Sequence, residues 1–145
     1  MTIKQISVFV ENQAGRLAEI TEILGEANID MRAMSIADTS EFGILRIIVD
    51  EPQKALEVLK SEGCVVSVTP VLAVEIEDTP GSLAKIVRVL ADEGVSVEYM
   101  YAYITRKVKN AYVIFKVEDI EGAEKIFENN GIKTATEAEI HDTLI

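Results

Sequence analysis

The chain has 145 residues, 48% hydrophobic and 27% charged, which is enough apolar material for a packed core and too much for a disordered chain. Fourteen Lys and Arg against 25 Asp and Glu leave a formal net charge of −11 at pH 7, which opposes phosphate backbones and anionic lipid alike and argues against nucleic acid or a membrane as partner. The single cysteine excludes an intrachain disulfide and a thiolate zinc site, and the apolar run Cys64-Val65-Val66 predicts a buried, unreactive thiol.

In chain order, Ile3 to Val10 is rich in β-branched and apolar residues and reads as a strand, and it reaches polar and acidic residues by Glu11, before a signal-peptide core could form. No uncharged stretch approaches the roughly 20 residues that span a bilayer, so a soluble cytoplasmic protein is expected. Ala14-Gly15 opens a segment whose Leu17, Ile20, Ile23 and Leu24 share one helical face, with Asn12 as a plausible N-terminal cap. Met31–Ala37 and Ile44–Val49 read as paired strands. Pro52 starts a second helix carrying Ala55, Leu56, Val58 and Leu59 inward, which Gly63 ends before a strand over Cys64–Val68.

The chain then repeats itself. Val10-Glu11-Asn12-Gln13-Ala14-Gly15-Arg16-Leu17-Ala18 returns as Ile76-Glu77-Asp78-Thr79-Pro80-Gly81-Ser82-Leu83-Ala84, 66 positions on (Gly15 to Gly81). Later positions match at 68 (Gly63 to Gly131), so two residues were added where Thr39-Ser40-Glu41-Phe42 becomes Thr105-Arg106-Lys107-Val108-Lys109-Asn110, which marks a hairpin loop. The second copy predicts strands near Val71–Ile76, Val97–Ile104, Ala111–Val117 and Lys133–Glu139, with helices near Ser82–Glu93 and Glu121–Glu128. Two βαββαβ units follow, an α+β chain of two tandem ferredoxin-like sandwiches, residues 1–70 and 71–145, with almost no linker at Pro70. The strands are apolar on both sides, as in Ile44 to Val49 and Tyr112 to Val117. The helix-free face is therefore expected to be covered, most simply by another chain, and a homodimer or higher oligomer is predicted.

Reactive groups are scarce. His141 is the only histidine and stands four residues from the end of the sequence. Carboxylates such as Glu19, Glu22, Glu26, Glu121, Glu124 and Glu128 fall on solvent-facing helix positions. No GxGxxG, P-loop or HExxH is present, and no metal site or cofactor is expected. The loop from first strand to first helix stands out in both copies. Gly15 and Gly81 allow backbone geometry that other residues resist, and the helix start behind them offers unpaired N–H groups and the positive end of a dipole, a socket suited to a carboxylate. The plainer reading, glycine for tight packing and Asn12 and Asp78 as caps, stands beside it. Tyr99, Tyr101 and Tyr103 alternate along one strand where the first copy has Ala33, Ser35 and Ala37, a pattern that fits packing at an interface.

These residues resemble ACT domains, small regulatory modules that bind amino acids in feedback-controlled enzymes of amino-acid metabolism. The resemblance rests on Glu77-Asp78-Thr79-Pro80-Gly81-Ser82-Leu83-Ala84, on the helix ending Leu90-Ala91-Asp92-Glu93-Gly94-Val95-Ser96-Val97, and on the element order in copies of about 70 residues; it covers nearly the whole chain. The first copy departs from it, with Ala14 for proline and Ala27-Asn28-Ile29-Asp30 for Glu93-Gly94-Val95-Ser96. The resemblance implies modules paired side by side into an extended antiparallel sheet, with a free amino acid bound where the glycine loop of one faces the second strand of the other. The implied ligand-binding positions are Asn12, Ala14, Gly15, Arg16 and Leu17 opposite Ser96, and Asp78, Pro80, Gly81, Ser82 and Leu83 opposite Asp30. It also implies a non-catalytic sensor or a regulatory subunit for a separate enzyme of amino-acid metabolism. An assembly module with vestigial pockets is the alternative. A small acyl-phosphate hydrolase would need an Arg-bearing anion loop, for which Arg16 is the only candidate, replaced by Ser82 in the second copy.

Overall fold

The computed structural model describes residues 2–38, 41–103 and 110–142. The chain forms two units, one of Lys4–Thr69 and one that starts at Pro70 and also takes in the first residues of the chain.

In the first unit the apolar alternation predicted from sequence becomes β1 (Ile3–Glu11), α1 (Arg16–Glu26), β2 (Met31–Asp38), β3 (Phe42–Val49) and α2 (Pro52–Ser61), followed by the start of β4 (Val66–Glu77). β3 runs antiparallel between β1 and β2, with Val8 opposite Leu45 and Ile36 opposite that same Leu45. On the other side of β1 the Phe9 amide donates to the Val65 carbonyl at 3.0 Å. The alternation sends Ile6, Val8 and Val10 to the side where α1 brings Ile20 and Leu24 and α2 brings Ala55 and Leu59. Each such fully buried aliphatic side chain contributes about 1.5–3 kcal/mol relative to exposure.

The second unit repeats the plan with the rest of β4, α3 (Ser82–Asp92), β5 (Tyr99–Tyr103), β6 (Asn110–Lys116), α4 (Ile120–Asn129), β7 (Thr134–Ala135) and α5 (Glu137–Asp142). β6 pairs antiparallel with β4 and β5, and β7 pairs with the other edge of β4, Ala135 opposite Ala73. Leu72, Val74, Leu90, Val113, Phe115, Ala123 and Phe127 form the core beneath α3 and α4, with the Phe115 and Phe127 rings tilted at 6.1 Å. The longer hairpin loop expected at 105–110 lies outside the described residues apart from Asn110, and so do Thr39, Ser40 and Ile104.

All four long helices end alike. Ile29, Cys64, Val95 and Ile132 donate their amides back to Leu24, Leu59, Leu90 and Phe127, the closing bond of a Schellman turn. The residue just before each donor is left-handed. It is Asn28 (φ 58°) in the first unit where the second has Gly94 (φ 73°), so the departure noted at Asn28 preserves the turn with the one non-glycine side chain that tolerates it well.

Three expectations need correction. Asn12 and Asp78 do not cap α1 and α3; Gly15 and Gly81 hold the cap positions, with no side-chain capping bond, because the chain turns once more before the helix begins. The strand expected over Lys133–Glu139 is only Thr134–Ala135, and the rest becomes α5. Thr136 drives that change: its hydroxyl accepts from the Glu139 amide at 3.1 Å and its carbonyl from Ile140 at 3.0 Å. The third concerns the helix-free face of the second unit, where Ala73, Tyr101, Tyr103, Tyr112 and Ile114 are already buried within the single chain. Over this face lies α5, with the Tyr103 hydroxyl donating to the Ile140 carbonyl at 3.4 Å and the Lys133 ammonium 3.3 Å from Glu139. The Lys133–Glu139 hydrogen bond, reinforced by the Glu139 and Glu75 charges, raises the Lys133 pKa.

Two outcomes test this packing. Ile140→Ala should cost about 2 kcal/mol, the low end for a buried aliphatic because a helix of six residues can settle, measured by urea unfolding. Gly25→Ala, inside α1 with open space around the added methyl, should stabilise the protein by about 0.5–1 kcal/mol in the same assay.

Candidate functional site

The strand-to-helix loops are built as one device used twice. In the second unit Thr79-Pro80-Gly81-Ser82 forms a turn closed by the Ser82 amide on the Thr79 carbonyl at 3.2 Å, with Gly81 at φ 87°, ψ −8°. Those angles at the third residue, with proline second, define a type II turn, which needs positive φ where glycine stands. The Thr79 and Ser82 hydroxyls lie 2.7 Å apart across it. In the first unit Gln13-Ala14-Gly15-Arg16 repeats the turn, Arg16 donating to Gln13 at 3.2 Å and Gly15 at φ 90°, ψ −16°. The α1 and α3 ladders start at the amides of Glu19 and Lys85, which donate to Gly15 and Gly81. Between turn and ladder, the amides of Leu17, Ala18, Leu83 and Ala84 have no acceptor among the described residues. These are the open donors at the positive end of each helix.

Beside the first loop lies a cleft of about 130 Å³ lined by Val10, Glu11, Asn12, Gln13, Leu17, Ile36 and Gly43. Asn12 and Leu17 line it as expected from sequence; Ala14, Gly15 and Arg16 shape the turn without lining it. Ile36 and Gly43 were missed, although the pairing of β2 with β3 sets them close to the loop, with Asp38 opposite Gly43. Leu17 and Ile36 are among the more exposed large apolar side chains, at 40% and 49%. The loop itself is tied to β3's approach by the Asn12 amide on the Glu41 carbonyl at 3.1 Å.

Asp30 stands apart from that cleft. It lines a second one with Gly25, Asn28, Ile29 and Asp50, where its amide donates to the Asp50 carboxylate at 3.0 Å and its own carboxylate meets Arg32 at 3.1 Å. Asp78, Pro80, Gly81 and Ser96 are exposed, and Ser82 and Leu83 are half-buried. Cys64 is partly buried against the first core; burial pushes its thiol pKa up, opposed by the nearby Arg16 charge, so the thiol is neutral at pH 7. Among the described residues no group of three or more His, Cys, Asp or Glu side chains could hold a metal ion, and no helix is long and apolar enough to cross a membrane.

Fold and loops together define a pair of ACT modules. The family model for an ACT domain pair matches residues 1–144, and the chain belongs to that family. The crystal structure of protein BT0572 from Bacteroides thetaiotaomicron is similar over 97% of this chain and 96% of its own, at 35% identity and a TM-score of 0.90. The ligand-free regulatory subunit of aspartate kinase from Thermus thermophilus shares the fold at 22% identity and a TM-score of 0.63, covering 87% of this chain and 91% of that one. Its counterpart from Thermus flavus does so at 20% identity and 0.60, covering 87% and 90%. No curated protein sequence matches the chain significantly.

The turn geometry predicts opposite outcomes at adjacent positions. Gly15→Ala and Gly81→Ala should each cost about 1–2 kcal/mol although the added methyl meets nothing within 4 Å, because the left-handed backbone alone carries the strain. Ala14→Pro, copying Pro80, should stabilise by about 0.4–1 kcal/mol; thermal unfolding of the three variants checks both signs.

Proposed function

We infer that the protein is a non-catalytic sensor that binds a free amino acid at its glycine loops and transmits that binding to its own assembly or to an enzyme of amino-acid metabolism. The observation that carries this reading is the open pair of amides at Leu17 and Ala18 beside a cleft whose rim is polar and whose walls are aliphatic. The amides and the helix dipole suit an α-carboxylate, and the oxygens of Asn12 and Glu11 suit an ammonium. Membership in the ACT family supports it. Asp30, Asp78 and Ser96 belong to the reading as ligand contacts through the resemblance alone. The aspartate kinase subunits with the same fold make a regulatory subunit a natural form for such a sensor, working in the cytoplasm as a homodimer or larger oligomer.

A second reading, an assembly module without ligand, is favoured by one feature. On the helix-free face of the first unit Phe9 is 43% exposed and stacks on Phe42 at 5.0 Å, beside Val65 at 70%. Thermal shift against the twenty amino acids separates the two, since a ligand at about 100 times its Kd adds roughly 2.7 kcal/mol. A shift with at least one amino acid, lost in Asn12→Ala or Gly81→Val while both variants fold, supports the sensor. No shift with any at millimolar concentration supports the assembly module.

A further inference from the structure

The two units differ beside α3, on the flank of β4 that pairs with β7. There a groove of about 360 Å³ opens in the second unit between the end of β4, the first turns of α3 and the segment Gly131–Lys133 that leads into β7. In the first unit the corresponding space holds the Arg16 side chain, whose Nε is buried, whose guanidinium lies 2.7 Å from Glu19, and whose charge acts on Cys64. In the second unit each of these residues is replaced: Arg16 by Ser82, Glu19 by Lys85, Cys64 by Ile132. The plug is gone and the floor is aliphatic, made of Ile76, Ile86 and Ile132, all half-buried on the core beneath.

The charges that remain are arranged in opposition. Lys85 rises from the first turn of α3, and its ammonium forms no ion pair or hydrogen bond among the described residues; the same holds for the Glu77 carboxylate on β4. One cation and one anion, neither paired with a described residue, thus line the groove beside an apolar floor. We propose that this groove, which shares Ser82 with the second glycine loop but otherwise lies on its β7 side, is a second amino-acid site that takes an α-amino acid with an aliphatic side chain. The carboxylate sits on Lys85, where the positive end of α3 adds to the attraction, the ammonium on Glu77, and the side chain on the three isoleucines. Lys133 at the rim is already paired with Glu139, so a ligand without the ammonium still meets the Glu77 and Glu75 carboxylates, and a charged side chain meets only isoleucine on the floor. The site lies wholly within one unit, and Ile76, Lys85, Ile86 and Ile132, which define it, are not glycine-loop contacts.

The test grafts the first unit's plug into the second. Ser82→Arg with Lys85→Glu introduces into the second unit the Arg16–Glu19 pair that the matching turn and helix of the first unit accommodate, and far-ultraviolet dichroism checks that the graft folds. Leucine, isoleucine and valine are titrated by calorimetry, and the methyl signals of Ile76, Ile86 and Ile132 are followed by NMR. The expected result is binding to the native protein with shifts at these three methyls, weakened about ten- to a hundredfold in the graft and in Lys85→Glu alone. Native affinity in the graft overturns the proposal, as does failure of all three probes to bind the native protein. Shifts confined to the Leu17 and Leu83 amides overturn it too, while leaving the glycine-loop reading in place.

Discussion

The fold turns on two peptide units that must be left-handed. At Gly15 and Gly81 the chain leaves an inner strand and enters a helix within four residues, and the type II turn that it uses to do so requires a positive φ at its third residue. Without that reversal the first helix of each unit could not lie back across its own strand, and Ile20 and Leu24, or Leu90, would not reach the sheet. The same geometry uses up the first helical amide in closing the turn and leaves the next two exposed. The backbone requirement that makes the fold possible thus also makes the candidate ligand contact, and function adds no strain that folding did not already demand.

Most of this was legible in the sequence because the signal was given twice. The repeat fixed the element order, and the period of 3.6 identified inward residues such as Leu24, Ala55 and Leu59, which are fully buried. The caps were misread because Asn12 and Asp78 are good capping residues in the wrong place: the turn intervenes, and the turn signal, Pro80-Gly81, carries more information than the carboxylate before it. The C-terminal helix was misread because Thr134, Thr136 and the flanking alanines alternate in the manner of a strand. Its true signature was present as Thr136-Glu137-Ala138-Glu139, a threonine followed three residues later by glutamate, the pattern of a capping box. Of the site, the loops could be read off directly. Ile36 and Gly43 could not, since their place beside the loop depends on strand register, which no local pattern specifies.

Duplication has let the copies specialise. Where the first unit fills the flank of its inner strand with Arg16, the second leaves it open; where the first has Ala33, Ser35 and Ala37, the second has three tyrosines. The positions between sheet and helices match far better than these, as expected when that core constrains both copies equally and the groove and the helix-free face do not.

The tyrosines have a practical consequence. All four in the chain, Tyr99, Tyr101, Tyr103 and Tyr112, lie on β5 and β6 of the second unit, in stacked and edge-on pairs, and there is no tryptophan anywhere. Near-ultraviolet absorption and intrinsic emission therefore originate almost wholly in one half of the molecule. An optical melting curve records the second unit and is silent about the first, whose unfolding shows only in backbone signals such as far-ultraviolet dichroism. Comparing the two measurements on one sample reveals whether the halves unfold together, with no label attached.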